Sequence, residues 1–152
     1  GTKLTAYEGG IRTPLVVRWP GVIGQTGKLT AAVGHVIDLM PTCLEVAGVD
    51  YPANFDGRKP LPLEGRSLAP ILRGEASEGH EMLCWNVPRN RAIRMGRWKL
   101  VAPRGKAAWE LYDLEADGTE TQNLAEEQPE RVRDMAAQWR AWAERCGVAK
   151  LK

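Results

Sequence analysis

Among the side chains whose types could do chemistry are Lys3, His35, His80, Asn86 and three cysteines, Cys43, Cys84 and Cys146. A lysine ammonium is a compact point charge that neutralises an anion. A histidine titrates near neutrality, so it can donate a proton or a hydrogen bond. Each has a plainer reading as well: an exposed terminal lysine, a hydrogen-bonded structural histidine, a polar residue on a strand. The cysteines show no CxxC spacing, which implies neither a zinc site nor a dense disulfide framework. They leave room for one disulfide, and the plainer expectation puts Cys43 and Cys146 on apolar helix faces as small hydrophobes.

The elements that must position these groups belong to a folded protein. Of the 152 residues 43% are hydrophobic and 26% charged, which excludes disorder. Lys and Arg number 21 against 19 Asp and Glu, net +2, and the charges are interspersed, so nucleic acid is not implied. No apolar run approaches the roughly 20 residues of a membrane span, and Gly1-Thr2-Lys3-Leu4 has no signal-peptide h-region.

Along the chain, Tyr7-Glu8-Gly9-Gly10-Ile11-Arg12-Thr13-Pro14 is too broken for a helix or long strand and reads as an ordered loop. Leu15-Val16-Val17-Arg18-Trp19 then predicts a strand buried on both faces. Val36, Leu39, Met40, Cys43, Leu44 and Ala47 share one helical stripe ending at Gly48, with Pro41 either in the first turn or at a kink. Residues 50–62 form a loop, and a short helix over 67–72 has Ser67 as its N-cap and Gly74 beyond its end. Four strand-like runs, 82–87, 92–95, 98–102 and 109–114, are separated by turn candidates at Pro88-Arg89-Asn90, Gly96 and Pro103-Arg104-Gly105. Val132, Met135, Ala136, Trp139, Trp142, Ala143 and Cys146 make one apolar face of a final helix that starts at Pro129 and stops at Gly147. The fold class is α+β: an antiparallel sheet of about four strands packed on a C-terminal helix.

Several stretches, in order, resemble the sulfatases. Lys3-Leu4-Thr5-Ala6-Tyr7-Glu8-Gly9-Gly10-Ile11-Arg12-Thr13-Pro14 resembles the segment in which a lysine precedes a Y/W-E-G-G-x-R-x-P loop and a buried strand. His35-Val36-Ile37-Asp38-Leu39-Met40-Pro41-Thr42 resembles the H-x-x-D-L-x-P-T helix. Phe55-Asp56-Gly57 with Gly65-Arg66-Ser67-Leu68-Ala69-Pro70-Ile71-Leu72 looks like an interrupted D-G-x-S-L-x-P-L-L. Arg91-Ala92-Ile93-Arg94-Met95-Gly96-Arg97-Trp98-Lys99-Leu100 is similar to R-A-V-R-x-G-x-W-K-L, and Glu110-Leu111-Tyr112-Asp113-Leu114 through Asn123-Leu124 to E-L-Y-D-L…N-L. Five ordered matches are far more specific than one.

The resemblance implies an arylsulfatase-like sulfuric ester hydrolase of the alkaline phosphatase-like superfamily, of which this chain is the C-terminal part. Residues 1–75 would then close the main α/β domain, contributing a strand and helices, and 76–152 would form the antiparallel-sheet subdomain. It implies Lys3 as the catalytic-site residue, contacting a sulfate oxygen and the charge that builds on it, with His35 and Asn86 as substrate-binding candidates. Relatives often continue W-E-H where this chain has Trp85-Asn86-Val87, so the substrate class is open. The family's nucleophile is a formylglycine made within C/S-x-P-x-R, and its metal is calcium. Neither motif nor ligand set occurs here; Cys84-Trp85-Asn86-Val87-Pro88-Arg89 is only a look-alike. The expected partners are a sulfate ester and the N-terminal catalytic part of the same polypeptide, and the isolated chain is expected to self-associate. Glu8 with Arg12 is expected to fix the loop, Asp38 and Thr42 to cap a helix, and Arg91 and Arg94 to mark a solvated sheet face. The alternatives are a non-catalytic sulfated-glycan binding module, or part of a phosphodiesterase or phosphonate hydrolase of the same superfamily.

Overall fold

Four short runs between positions 83 and 113 pair with one another and build the sheet. In the computed structural model, which describes residues 3–24, 27–87, 90–103 and 108–148, this sheet is β1 (Leu83–Val87), β2 (Asn90–Met95), β3 (Trp98–Pro103) and β4 (Glu110–Asp113). It is an antiparallel meander in the order β1-β2-β3-β4. Gly96 supplies the tight turn between β2 and β3, because its φ of +57° is left-handed and free of a Cβ penalty. The other two expected turns fall partly outside the described residues.

The chain divides into two compact units, one of Gly1–Leu15 with Glu81–Lys152 and the other of Val16–His80. The opening residues pack with the sheet, Ala6 and Tyr7 lying against Ala92, Val101 and Tyr112. In the first unit a four-residue helical turn, α1 (Glu8–Ile11), replaces the helix-free loop expected there. The last helix, α4 (Pro129–Arg145), has Pro129 in its first turn and Glu130 near its positive end, as helix-terminal chemistry favours. Its Met135, Ala136, Trp139 and Ala143 close over Ile93, Leu100 and Leu111. Burying one such tryptophan contributes about 2–3 kcal/mol. Cys146 lies exposed at the end of α4, past the face expected to hold it. The other sheet face is also covered: Ala92, Val101 and Tyr112 pack with Ala6, and Tyr7 and Trp85 lie against them. Arg91 and Arg94 sit three residues apart on β2 and so point to opposite faces; the single solvated face they were expected to mark does not exist.

In the second unit, a 3-10 turn over Val36–Asp38 leads into α2 (Leu39–Ala47), and α3 (Ala69–Arg73) follows. Pro41 falls in the first turn of α2, where its missing N–H costs nothing. Gly48 and Gly74 end the two helices at φ +64° and +83°. Ser67 Oγ accepts from the Ala69 N–H at 3.1 Å, although the cap position is Leu68. Two expectations fail here. Residues 15–19 form no strand and Val16 is 90% exposed, because no described strand offers them a partner. The stripe on α2 buries none of its residues, and Cys43 is exposed with it.

Candidate functional site

The segment carrying Lys3 is held down by two polar clusters built on the sheet. Lys99 stands on β3, fully buried, and an ammonium there must be paired. Its Nζ donates to Glu8 Oε1 at 2.7 Å and lies 2.8 Å from Glu120 Oε1. Glu120 in turn accepts the Glu8 N–H at 2.6 Å through Oε2. Two carboxylates thus share one ammonium, and the first residue of α1 is tied to it by both side chain and backbone. Glu8 was expected to pair with Arg12; the buried cation one strand away takes it instead.

Beside this triad, the hydroxyls of Tyr7 and Tyr112 both donate to Glu110 Oε2, the second at 2.9 Å. The two rings meet edge-on with centroids 6.3 Å apart, a favoured aromatic geometry. Burial, then the Glu110 carboxylate, pushes both phenols well above their ordinary range, so they act as fixed donors. Tyr7 and Glu8 are consequently rigid, and Lys3 sits four residues upstream in an exposed turn. Its neighbour Leu4 is left-handed at φ +72°, a strained conformation for a branched side chain. Among the described residues Lys3 forms no ion pair, so its ammonium is available to an anion.

His35 and His80 meet at Asp38, a different centre in the Val16–His80 unit. Asp38 is fully buried; its Oδ2 accepts the His35 N–H at 2.7 Å, and its Oδ1 accepts the Arg66 N–H at 2.8 Å and faces His80 Nε2 at 2.7 Å. Thr42 Oγ1 donates to the Asp38 carbonyl at 2.6 Å and accepts the Leu68 N–H at 2.8 Å. Asp38 closes a capping box with His35, as expected of a helix start, whereas Thr42 lies inside α2 and caps no end of it; both residues stitch α2 to the 66–68 segment. Gly65 fits because a Cβ there would lie 2.0 Å from the Ile37 carbonyl oxygen. His35 Nδ1 accepts the Ile37 N–H at 3.3 Å. Burial lowers the His35 pKa against the opposing pull of Asp38, which keeps that nitrogen free to accept. These hydrogen bonds engage much of the capacity His35 would offer a substrate.

Asn86 is exposed on β1, opposite Arg91. Cys84, in the look-alike motif, packs into the core, and burial pushes its thiol up to about 12. A thiol held protonated is a poor nucleophile. Among the described residues no three His, Cys, Asp or Glu side chains are grouped to hold a metal ion. The anchors Lys99, Glu110 and Glu120 were not singled out from the sequence. A lysine inside the run Trp98-Lys99-Leu100-Val101-Ala102 signals a buried cation, whereas Glu120 lies in a loop and carries no such signal.

Comparison with known proteins places the whole arrangement. The sequence profile described as N-sulphoglucosamine sulphohydrolase, C-terminal, matches residues 2–141. A sulfatase of Formosa agariphila is 32% identical over 92% of this chain and 28% of its own length. An uncharacterized sulfatase of Schizosaccharomyces pombe is also 32% identical, over 93% of this chain and 26% of its own. The chain therefore spans about a quarter of the length of these curated relatives. Among solved structures, a 2-O GAG sulfatase superposes with TM-score 0.54 and 28% identity over 71% of this chain and 24% of that one. A phosphonate monoester hydrolase of Silicibacter pomeroyi reaches TM-score 0.61 at 26% identity, over 94% of this chain and 30% of its own. The α+β meander with its covering helix and the profile over 2–141 agree: the chain belongs to the sulfatases, in the N-sulphoglucosamine sulphohydrolase C-terminal family.

Proposed function

We propose that this chain is the C-terminal, substrate-side portion of an enzyme that hydrolyses sulfate esters, and that Lys3 contacts the sulfate. The supporting observation is the anchoring of Tyr7 and Glu8: the buried Glu8–Lys99–Glu120 triad fixes the loop from which an otherwise unpaired ammonium projects. Lys3 neutralises a sulfate oxygen on binding and stabilises charge developing on the ester in the transition state. A formylglycine nucleophile and calcium, both implied by the family, would be supplied by the N-terminal part of the same polypeptide. This chain alone is then inactive. An aryl sulfate assay tests the reading in two steps. The 152-residue chain should give no turnover. In a polypeptide that joins it to a C/S-x-P-x-R segment, Lys3→Ala should lower kcat/KM by about 100-fold, the scale of a lost transition-state donor, with thermal stability unchanged. Turnover by the chain itself, or full activity in the variant, defeats the proposal.

The 94% coverage by a phosphonate monoester hydrolase favours one second reading, a phosphonate or phosphate diester substrate at the same lysine. Sulfate and phosphonate monoesters of one leaving group, assayed side by side, separate the two by their kcat/KM ratio.

A further inference from the structure

Among the described residues Arg91 has no counter-ion. It stands on β2 directly opposite Asn86, on the sheet face that α4 covers. Its guanidinium carbon lies 4.6 Å from the Trp109 ring centre and 5.5 Å from that of Trp139. The two indoles themselves meet edge-on at 5.9 Å. This stacking orients a planar fork of donors. Arg91 Nε is shut off from solvent and has no hydrogen-bond partner, and among the described residues no carboxylate pairs with the guanidinium. The neighbouring charge that acts on it is a second cation, Arg140; burial and then this repulsion pull the Arg91 pKa below its ordinary value. Arg97 and Arg73 contrast with it, for their guanidinium groups reach Asp113 and Glu45. A half-buried guanidinium beside a like charge is unfavourable until an anion completes it.

We infer that Arg91 and Arg140, with the half-buried Trp109 as an apolar platform and Asn86 beside them, form a binding subsite for an anionic sugar residue. The charged group, sulfate or carboxylate, sits on the guanidinium donors, and a face of the sugar ring lies against the indole. The sugar in this assignment rests on the sulfatase reading above; the anion does not. This subsite is separate from Lys3 and does no chemistry: it holds a charged residue of a chain-like substrate.

Tryptophan fluorescence of the 152-residue chain, titrated with glucosamine 6-sulfate, glucuronic acid, glucosamine and inorganic sulfate, tests this directly. A charged sugar should bind at least about tenfold tighter than glucosamine, and the two charged sugars together show which anion is preferred. Arg91→Lys keeps the charge but loses the fork, and should weaken binding about tenfold. Arg140→Ala, on the exposed side of α4, should weaken it a few-fold while leaving the circular dichroism spectrum unchanged. Equal affinity for glucosamine, or affinity untouched by both variants, overturns the subsite; inorganic sulfate binding as tightly as the sulfated sugar overturns the sugar platform. Charged-sugar binding in a polypeptide that never cleaves sulfate esters would sink the function proposed above and leave the subsite standing. Sulfate ester turnover without such binding would do the reverse.

Discussion

The two units of this chain are stabilised in opposite ways. The sheet unit buries apolar side chains on both faces, with Ile93, Leu100 and Leu111 on one and Ala92, Val101 and Tyr112 on the other. The Val16–His80 unit buries almost none: Asp38 and Ala69 are its buried residues among those described, while Val16, Leu29, Met40, Phe55 and Leu61 are exposed. Its order comes from a polar hub. The difference teaches what each part needs. A sheet closed on both sides satisfies itself, whereas a unit with apolar residues outward and one carboxylate at its centre has surface to spare for association. Sheet amides should therefore exchange far more slowly than those of residues 15–19, and sedimentation should show the chain self-associating.

Breaking the sheet unit at its polar anchor should have the largest effect. Lys99→Ala leaves the Glu8 and Glu120 carboxylates buried without their ammonium, and losing one partner of a buried ion pair costs about 3–5 kcal/mol. Urea denaturation followed by tryptophan fluorescence measures this, because Trp109 and Trp139 report on the same unit. A loss under about 1 kcal/mol would mean that the triad is incidental to the fold and does not fix the Lys3 loop. The next effect belongs to the other unit. Asp38→Ala removes the acceptor of the His35 and Arg66 N–H groups and the partner of His80, at about 2–3 kcal/mol for charge-assisted bonds. Amide exchange should accelerate across α2 and residues 65–73 and leave β2 and β3 as slow as before. Acceleration spreading equally into the sheet would contradict two separately stabilised units.

How much of this was legible in sequence follows the same divide. The meander and the final helix were readable because their signals are local: short apolar runs broken by turn residues between 82 and 114, and a 3.6-residue stripe from Val132 to Ala143. The candidate Lys3 segment was readable as a motif, but its anchors were not. Glu8 could be paired from sequence only with a nearby Arg12, whereas its partner Lys99 lies 91 residues away and Glu120 further still. Periodicity also misled where a partner surface was assumed. The run 15–19 has the composition of a buried strand and the α2 stripe that of a core face, yet composition states only what a segment would bury if something covered it. Arg91 shows the converse, for alternation marked it as solvated while tertiary packing placed it against two indoles.

The smallest effect expected is a pH dependence confined to the sheet unit. Arg97 Nε donates to Asp113 Oδ1 at 2.7 Å, and its Nη2 donates to Oδ2. This paired guanidinium first, then the Glu115 N–H, holds the Asp113 carboxyl below its ordinary value. A carboxylate with a depressed folded-state pKa binds fewer protons in the native than in the unfolded chain. Its contribution is therefore fully present above the unfolded value of about 4 and is lost as pH falls through the folded one. Arg97 is itself 42% exposed, so solvent and salt screen the pair and keep the contribution small. Asp113→Asn should consequently leave stability nearly unchanged relative to wild type at pH 2–3, lower it slightly at pH 7, and flatten the acid limb between. Thermal melts at pH 3, 5 and 7 in low and high salt would show this, with the pH 7 difference shrinking as salt rises. An Asn variant whose deficit is the same at pH 3 and pH 7 would mean that Asp113 acts through shape and neutral hydrogen bonds, and that the sheet unit owes its acid sensitivity to other carboxylates.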